Sequence, residues 1–162
     1  MGINHQSGTD LNLSPEYFMK EALRLADQAE LLGEVPVGAI VVKDNKIIGR
    51  GFNQPISSCD PTAHAEIVAL RDAAKHINNY RLVDCDLYVT IEPCAMCAGA
   101  IVHSRIRKVF FGATEPKAGA VMSTQHFFEA LQLNHHVISE SGVLEEDCRE
   151  KVQQFFKTRR AQ

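Results

Sequence analysis

Four residues in two short runs carry the types that chemistry needs. The first run is His64-Ala65-Glu66 and the second Pro93-Cys94-Ala95-Met96-Cys97, each read at the start of a helix. Together they supply one imidazole, two thiols and one carboxylate, which are zinc ligand types with a base beside them. Cys94 and Cys97 lie three apart, so within one helical turn both sulfurs point to the same side, as a shared tetrahedral ion requires. The positive end of a helix also favours thiolate over thiol. His64 and Glu66 pose a harder problem, because residues two apart on a regular helix point about 200° apart. His64 is therefore predicted at the first, not fully helical, position. Three protein ligands leave the fourth tetrahedral position open for water, the arrangement of a catalytic zinc. Water on zinc ionises near pH 7, and Glu66 is expected to take its proton, pass it to the substrate and help the leaving group depart.

The elements that must position these residues follow from periodicity and punctuation. Ser14-Pro15-Glu16 is a helix start, and Phe18, Ala22, Leu25, Ala26 and Ala29 recur at helical spacing up to Gly33. Val37 to Lys43 and Lys46 to Phe52 are β-branched runs about the turn residues Asp44 and Asn45, a hairpin. A second helix is expected from about Thr62, as N-cap, to Ile77, with Ile67, Leu70 and Ala74 on its apolar stripe. Leu87 to Ile91 reads as a strand, Pro93 as the opening of a helix through about Ser104, and Lys108 to Phe111 as a strand. That order implies a crossover and a parallel pair. His136 to Ser139 supplies a fifth strand. Leu144, Cys148, Val152 and Phe155 mark the buried stripe of a C-terminal helix with a basic end. The reading is an α/β sandwich, a mixed five-stranded sheet covered by helices. Residues 1–13 are expected as a flexible arm and 14–162 as a single domain.

Composition narrows the classes. A chain of 162 residues, 45% hydrophobic and 23% charged, suits one globular domain with a core. No run approaches the roughly 18 apolar residues of a membrane span, no signal-peptide pattern opens the chain, and Gln6 stands where a myristoylation signal has Ser or Thr. A cytoplasmic protein without membrane attachment is expected. Five cysteines, an odd count, argue against a disulfide framework. Cys59, five residues before His64, is the one thiol placed to close the metal site as a fourth ligand; Cys85 and Cys148 read as buried small hydrophobes. The net charge of −3 means that any RNA contact must rest on a local basic patch.

Taken singly, a helix-facing His or a CxxC is more often a packed side chain, a redox pair or part of a closed zinc knuckle. His-x-Glu followed about thirty residues later by Pro-Cys-x-x-Cys is a known signature of zinc nucleobase deaminases, tRNA adenosine deaminases being the established example rather than something the spacing itself yields. The sequence resembles bacterial-type tRNA adenosine deaminases over most of its length. The resemblance rests on Glu-Val-Pro-Val-Gly-Ala from Glu34, Asp-Pro-Thr-Ala-His-Ala-Glu-Ile from Asp60, Asn-Tyr-Arg-Leu from Asn79, Tyr-Val-Thr-Ile-Glu-Pro-Cys-Ala-Met-Cys-Ala-Gly-Ala-Ile from Tyr88, His-Ser-Arg-Ile from His103 and Phe-Phe-Gly-Ala from Phe110.

The resemblance implies a three-layer α/β/α, cytidine deaminase-like fold and a homodimer with one Zn2+ per subunit. By the same resemblance His64, Cys94 and Cys97 bind the metal and Glu66 shuttles protons as water attacks C6 of adenine. The implied reaction converts adenosine to inosine at the wobble position of an arginine tRNA, held by its anticodon stem-loop. Asn53 would hydrogen-bond the target purine, with Val37 and the Ala65 backbone amide lining the base pocket. Single-stranded RNA is read by stacked bases and backbone charge, so a basic rim is expected. Its candidates are Lys117 and the tail residues Phe155, Phe156, Lys157, Arg159 and Arg160. Where the family commonly has Asp two residues before the loop Lys, this chain has Glu115, preceded by Thr114 rather than a basic residue. Competing readings are a free guanine, cytosine or nucleoside deaminase, a non-catalytic zinc-bearing RNA-binding subunit, and a thiol redox protein using Cys94 and Cys97.

Overall fold

Alternation along the strands decides which helices lie on which side of the sheet. The structure is a computed structural model that describes residues 13–162; the expected N-terminal arm, apart from Leu13, lies outside the described residues. Helix α1 (Pro15–Leu31) opens with Pro15 behind Ser14, whose hydroxyl accepts from the Tyr17 amide at 3.2 Å. The hairpin β1 (Gly38–Lys43) and β2 (Lys46–Phe52) turns at Asp44 and Asn45, both with positive φ, which is the geometry of a tight primed turn. Then follow α2 (Ala65–Ile77), β3 (Asp86–Ile91), α3 (Ala95–His103), β4 (Lys108–Ala113), a 3-10 turn at Phe127–Glu129, β5 (Ile138–Glu140) and α4 (Glu145–Ala161). The sheet order is β2-β1-β3-β4-β5, with β1 antiparallel to both β2 and β3 and with β3–β4 and β4–β5 parallel.

Successive strand residues point to opposite faces. Ala39, Val41, Leu87, Val89, Val109 and Phe111 pack under α2 and α3. Ile40, Val42, Tyr88 and Phe110 pack under α1, with Val143 from just before α4 and Cys148 from its first turn. On that second face the Tyr88 and Phe110 rings stack at 4.4 Å, and Phe18 of α1 meets Tyr88 at 5.2 Å. The result is the expected three-layer α/β/α sandwich. Each fully buried aliphatic side chain of this kind contributes about 1.5–3 kcal/mol.

Several boundaries differ from the sequence expectation; β4, expected to end at Phe111, runs on to Ala113. Thr62 does not cap α2: its amide and hydroxyl both donate to Asp60 Oδ1, at 2.9 and 2.8 Å, turning the chain earlier and leaving His64 as N-cap. Pro93 does not open α3, because its carbonyl accepts the Ala120 amide at 2.9 Å and Cys94 takes the N-cap position. The fifth strand is Ile138–Glu140 rather than His136–Ser139, because both histidine rings are engaged with backbone carbonyls, His135 with Ile106 and His136 with Phe128. Leu144 and Val152, expected in the buried stripe of α4, are only half-buried, and Leu144 stands before the helix as its N-cap.

The placement of α2 is set by glycine. A Cβ at Gly51 would stand 2.5 Å from the Ala65 carbonyl and one at Gly49 2.5 Å from that of Ala69. The bare β2 backbone therefore lets α2 press against the sheet and fixes where its N-terminus emerges.

Candidate active site

Two helix starts meet at one point. His64 is the N-cap of α2, with φ −71° and ψ 155°, and Cys94 is the N-cap of α3, with φ −79° and ψ 176°; both are extended residues. This resolves the His64–Glu66 difficulty: the N-cap lies outside the helical screw, so the imidazole and the Glu66 carboxylate reach the same place. Neither ligand side chain caps its own helix. The first free amide of α2, on Ala65, is instead taken by Asn53 Oδ1 at 2.9 Å.

His64 Nδ1 lies 3.6 Å from Cys94 Sγ and 3.4 Å from Cys97 Sγ, and the three donor atoms all lie within 4.8 Å of one another. Zinc bonds of 2.3 Å to sulfur and 2.0–2.1 Å to nitrogen at the tetrahedral angle put N and S about 3.6 Å apart. The donor set thus fits a tetrahedral zinc in both type and spacing. It is the one such group of His, Cys, Asp or Glu found among the described residues. Cys59 is not part of it; its thiol is exposed and directed at the Ile56 carbonyl, 3.8 Å away. Cys85 and Cys148 are buried free thiols.

Electrostatics within the cluster follow from its crowding. The Cys97 thiol and the His64 ring hold Cys94 as a thiolate, its pKa lowered to about 3. Cys97 is raised by the neighbouring Cys94 sulfur and by burial, and His64 is raised by its bond to Cys94 despite burial. A metal entering this set displaces protons from Cys97 and His64, so its affinity rises with pH. Glu66 is 4% exposed, and burial pushes it up to about 7 against the opposing pull of its own backbone amide and of His64. A carboxyl poised near neutrality can accept and return a proton at working pH.

His64, Glu66 and Cys94 line an open cleft of about 1610 Å³ together with Val37, Asn53, residues 114–118 and one side of α4 from Asp147 to Arg160. Asn53 receives the Ala65 amide on Oδ1, so its Nδ2 protons remain for a ligand, whereas the Ala65 amide is already committed. Lys117 is exposed at the lip. Phe156 is 43% exposed and faces the cleft, as do Lys157 and Arg160. Arg159 does not line the cleft: its guanidinium donates to the Gly33 carbonyl and lies over the Phe155 ring at 4.8 Å, tying α4 to the end of α1.

Sequence reasoning passed over two buried carboxylates. Glu34, 2% exposed, accepts the Ile56 and Ser57 amides at 3.4 and 2.6 Å and so holds the loop after Asn53. Glu92, 3% exposed, accepts the amides of Glu115, Val121, Met122 and Ser123 and the Ser123 hydroxyl. Burial alone would raise the Glu92 pKa, but the donors from Met122, Ser123 and Glu115 outweigh it and hold the group below the ordinary carboxylate value. The signal available was a Glu inside an apolar run with no cation nearby, which must find donors elsewhere if it is buried.

Residues 13–113 match the cytidine and deoxycytidylate deaminase zinc-binding region. The chain is 56% identical over 146 residues to a tRNA-specific adenosine deaminase of Haemophilus influenzae, covering 90% of this chain and 84% of that one. It is similar to the solved structure of a tRNA:A34 deaminase, from work on A-to-I editing at the wobble position of transfer RNA: 43% identity, TM-score 0.81, 83% of this chain and 98% of that one. A guanine deaminase from Bacillus subtilis is more distant in shape, at 34% identity and TM-score 0.61 over 90% of this chain and 95% of that one. With a matched region that includes four of the five strands and both ligand-bearing helix starts, and with such identity across most of the chain, the protein belongs to the tRNA-specific adenosine deaminases within the zinc-dependent cytidine and deoxycytidylate deaminase group.

Proposed function

We propose that this chain converts adenosine to inosine at the wobble position of a tRNA, an arginine tRNA in the first instance, held by its anticodon stem-loop. The observation that carries the reading is a three-ligand cluster beside a buried carboxylate, in an open cleft whose lining includes Lys117, Phe156, Lys157 and Arg160 alongside the acidic Glu30, Glu115, Asp147 and Glu150. The 56% identity to a tRNA-specific adenosine deaminase, against 34% to a guanine deaminase, favours a base presented on RNA over the free guanine, cytosine or nucleoside of a salvage enzyme. The presence of Glu66 speaks against a non-catalytic subunit.

His64, Cys94 and Cys97 would hold one Zn2+ per subunit. Zinc, when bound, acidifies water so that hydroxide is available at neutral pH. Glu66 would accept a proton from the attacking water and deliver it to N1 of adenine as the C6–O bond forms. It then assists protonation of the exocyclic amine as the C6–N bond breaks, so that water and adenosine become inosine and ammonia. Asn53 Nδ2 donates to an acceptor edge of the purine, and Val37 shields one side of the base. Lys117 and Phe156 contact the loop nucleotides by charge and stacking. Residues 14–162 act as one deaminase domain, in a homodimer working in the cytoplasm where tRNA is processed. Among the described residues no helix is long and apolar enough to cross a membrane.

The test is incubation of the purified, zinc-loaded protein with unmodified arginine tRNA bearing a wobble adenosine, followed by sequencing for inosine, with free adenosine, guanine and cytosine as parallel substrates. Inosine in the tRNA alone supports the reading. Turnover of a free base with the tRNA untouched moves the protein to salvage, and no turnover with zinc bound makes it a non-catalytic subunit.

A further inference from the structure

Glu92 directly follows β3 and precedes the Pro93-Cys94 turn, yet its carboxylate makes no hydrogen bond to the metal-ligand cluster that follows it. Its bonds go instead to one segment, residues 115–123. Oε1 accepts the Glu115 amide at 3.0 Å and the Ser123 hydroxyl; Oε2 accepts the amides of Val121, Met122 and Ser123 at 3.1, 2.8 and 2.9 Å. Five donors on one buried carboxylate leave no lone pair for anything else. The arrangement continues outward in two steps. The Glu115 carboxylate accepts the Lys117 amide at 3.1 Å, and the Glu115 carbonyl accepts the Gly119 amide at 2.8 Å. Gly119 itself forms an isolated bridge with Cys94 and has no room for a side chain, because a Cβ there would collide with the Glu92 carboxylate.

We propose that Glu92 is a positioning residue for substrate: its carboxylate shapes residues 114–118 into the cleft wall and holds Lys117 at the lip, acting on substrate binding rather than on the chemical step. The physical reason is a division of labour visible in the bonds. The ligand Cys94 is set by its own helix start, with the Ala98 amide on its carbonyl at 2.8 Å, and Glu66 and Asn53 are set by α2 and β2. Residues 119–121 have further anchors, the Ala120 amide on the Pro93 carbonyl and the Phe127 amide on the Ala120 carbonyl, but residues 115 and 122–123 are tied down through the Glu92 carboxylate, whose charge-assisted bonds are about twice as strong as neutral ones. A buried anion with five converging amide and hydroxyl dipoles is a rigid hub. Its amide isostere presents two protons to a ring of donors and cannot replace it.

The inference rests on the proposed reading only for the identity of the substrate. Two variants test it: Glu92→Gln, and Ser123→Ala, which removes one bond and is the milder. Expected in the zinc-loaded protein are a KM for an anticodon stem-loop RNA raised about tenfold in the first and less in the second, with kcat within about twofold. Zinc content should stay at the wild-type value, and amide exchange should accelerate at 115 and 121–123 but not in β3 or β4. A lowered kcat at unchanged KM, or loss of zinc, overturns the proposal and makes Glu92 a support of Cys94. A fall in melting temperature with both constants unchanged also overturns it, reducing Glu92 to ordinary packing. Should the wild type act on free guanine and ignore RNA, the proposed function fails, and the same KM-against-kcat comparison on guanine decides the role of Glu92 independently.

Discussion

The pit that holds His64, Glu66, Cys94 and Cys97 and the rim that surrounds it are built by different means. In the pit, every group sits on or beside the first turn of a helix pressed against the sheet, so its position is inherited from the core: Glu66 and Cys97 are buried, and Asn53 secures the start of α2. At the rim, Lys117 rides on a segment held by one buried carboxylate, and Phe156, Lys157 and Arg160 project from the far end of a helix whose buried residues are Cys148 and Phe155. The pit inherits the close packing of the core, where side chains interdigitate with few voids and displacement is resisted. The rim depends on the polar bonds of Glu92 and on the exposed end of α4 rather than on core packing, so it is cheaper to disturb. Changes in the pit should therefore destroy chemistry, and changes at the rim should shift binding.

The largest effect is expected from Cys97→Ala, which removes one of three ligands: zinc should be lost on dialysis and deaminase activity abolished, as read by metal analysis and inosine formation. Retention of stoichiometric zinc would contradict the assignment of Cys97.

Next in size is Glu66→Gln, which should lower kcat by about 10²–10⁴-fold with zinc retained. Near-normal turnover would remove the proton-shuttle role. The same variant bears on stability. Glu66 is raised from 4.5 to about 7 in the folded protein, so its contribution is fully present below pH 4.5 and is lost as the pH rises through about 7. Denaturant midpoints of the chelator-treated protein should therefore fall over that window in the wild type and fall less in Glu66→Gln.

At the rim, deleting residues 157–162 should weaken RNA binding and flatten its salt dependence. Two cleft-facing cations, Lys157 and Arg160, are lost, each worth about 0.7 in the slope of log affinity against log salt on single strands. The smallest effect separates two adjacent arginines. Arg160→Ala should reduce that slope by about 0.7, whereas Arg159→Ala should leave the slope alone and lower stability by about 0.5–1 kcal/mol through loss of its ring contact. An equal change in slope for both would dissolve the distinction between packing and binding.

Much of this was legible in the chain. Helix α1, the hairpin and the parallel β3–β4 pair follow from Ser14-Pro15, Asp44-Asn45 and the apolar runs, because those signals act over a few residues. The boundaries that shifted are places where a distant group intervened: Asp60 claims Thr62, and the Ala120 amide claims the Pro93 carbonyl. The difference between Arg159 and Arg160 is invisible in a basic tail, since it depends on where Gly33 ends up.

By itself, then, the sequence determined which atoms can do the chemistry, because ligand type and the reach across one helical turn are local properties. Only the tertiary structure decided that His64 meets Cys94 and Cys97 across thirty residues, that Glu66 is dry enough to titrate near neutrality, and that Glu92 serves a distant loop. Those outcomes depend on which faces the sheet brings together and which groups it cuts off from water. Burial and convergence of this kind are properties of the packed chain, and no short run of residues contains them.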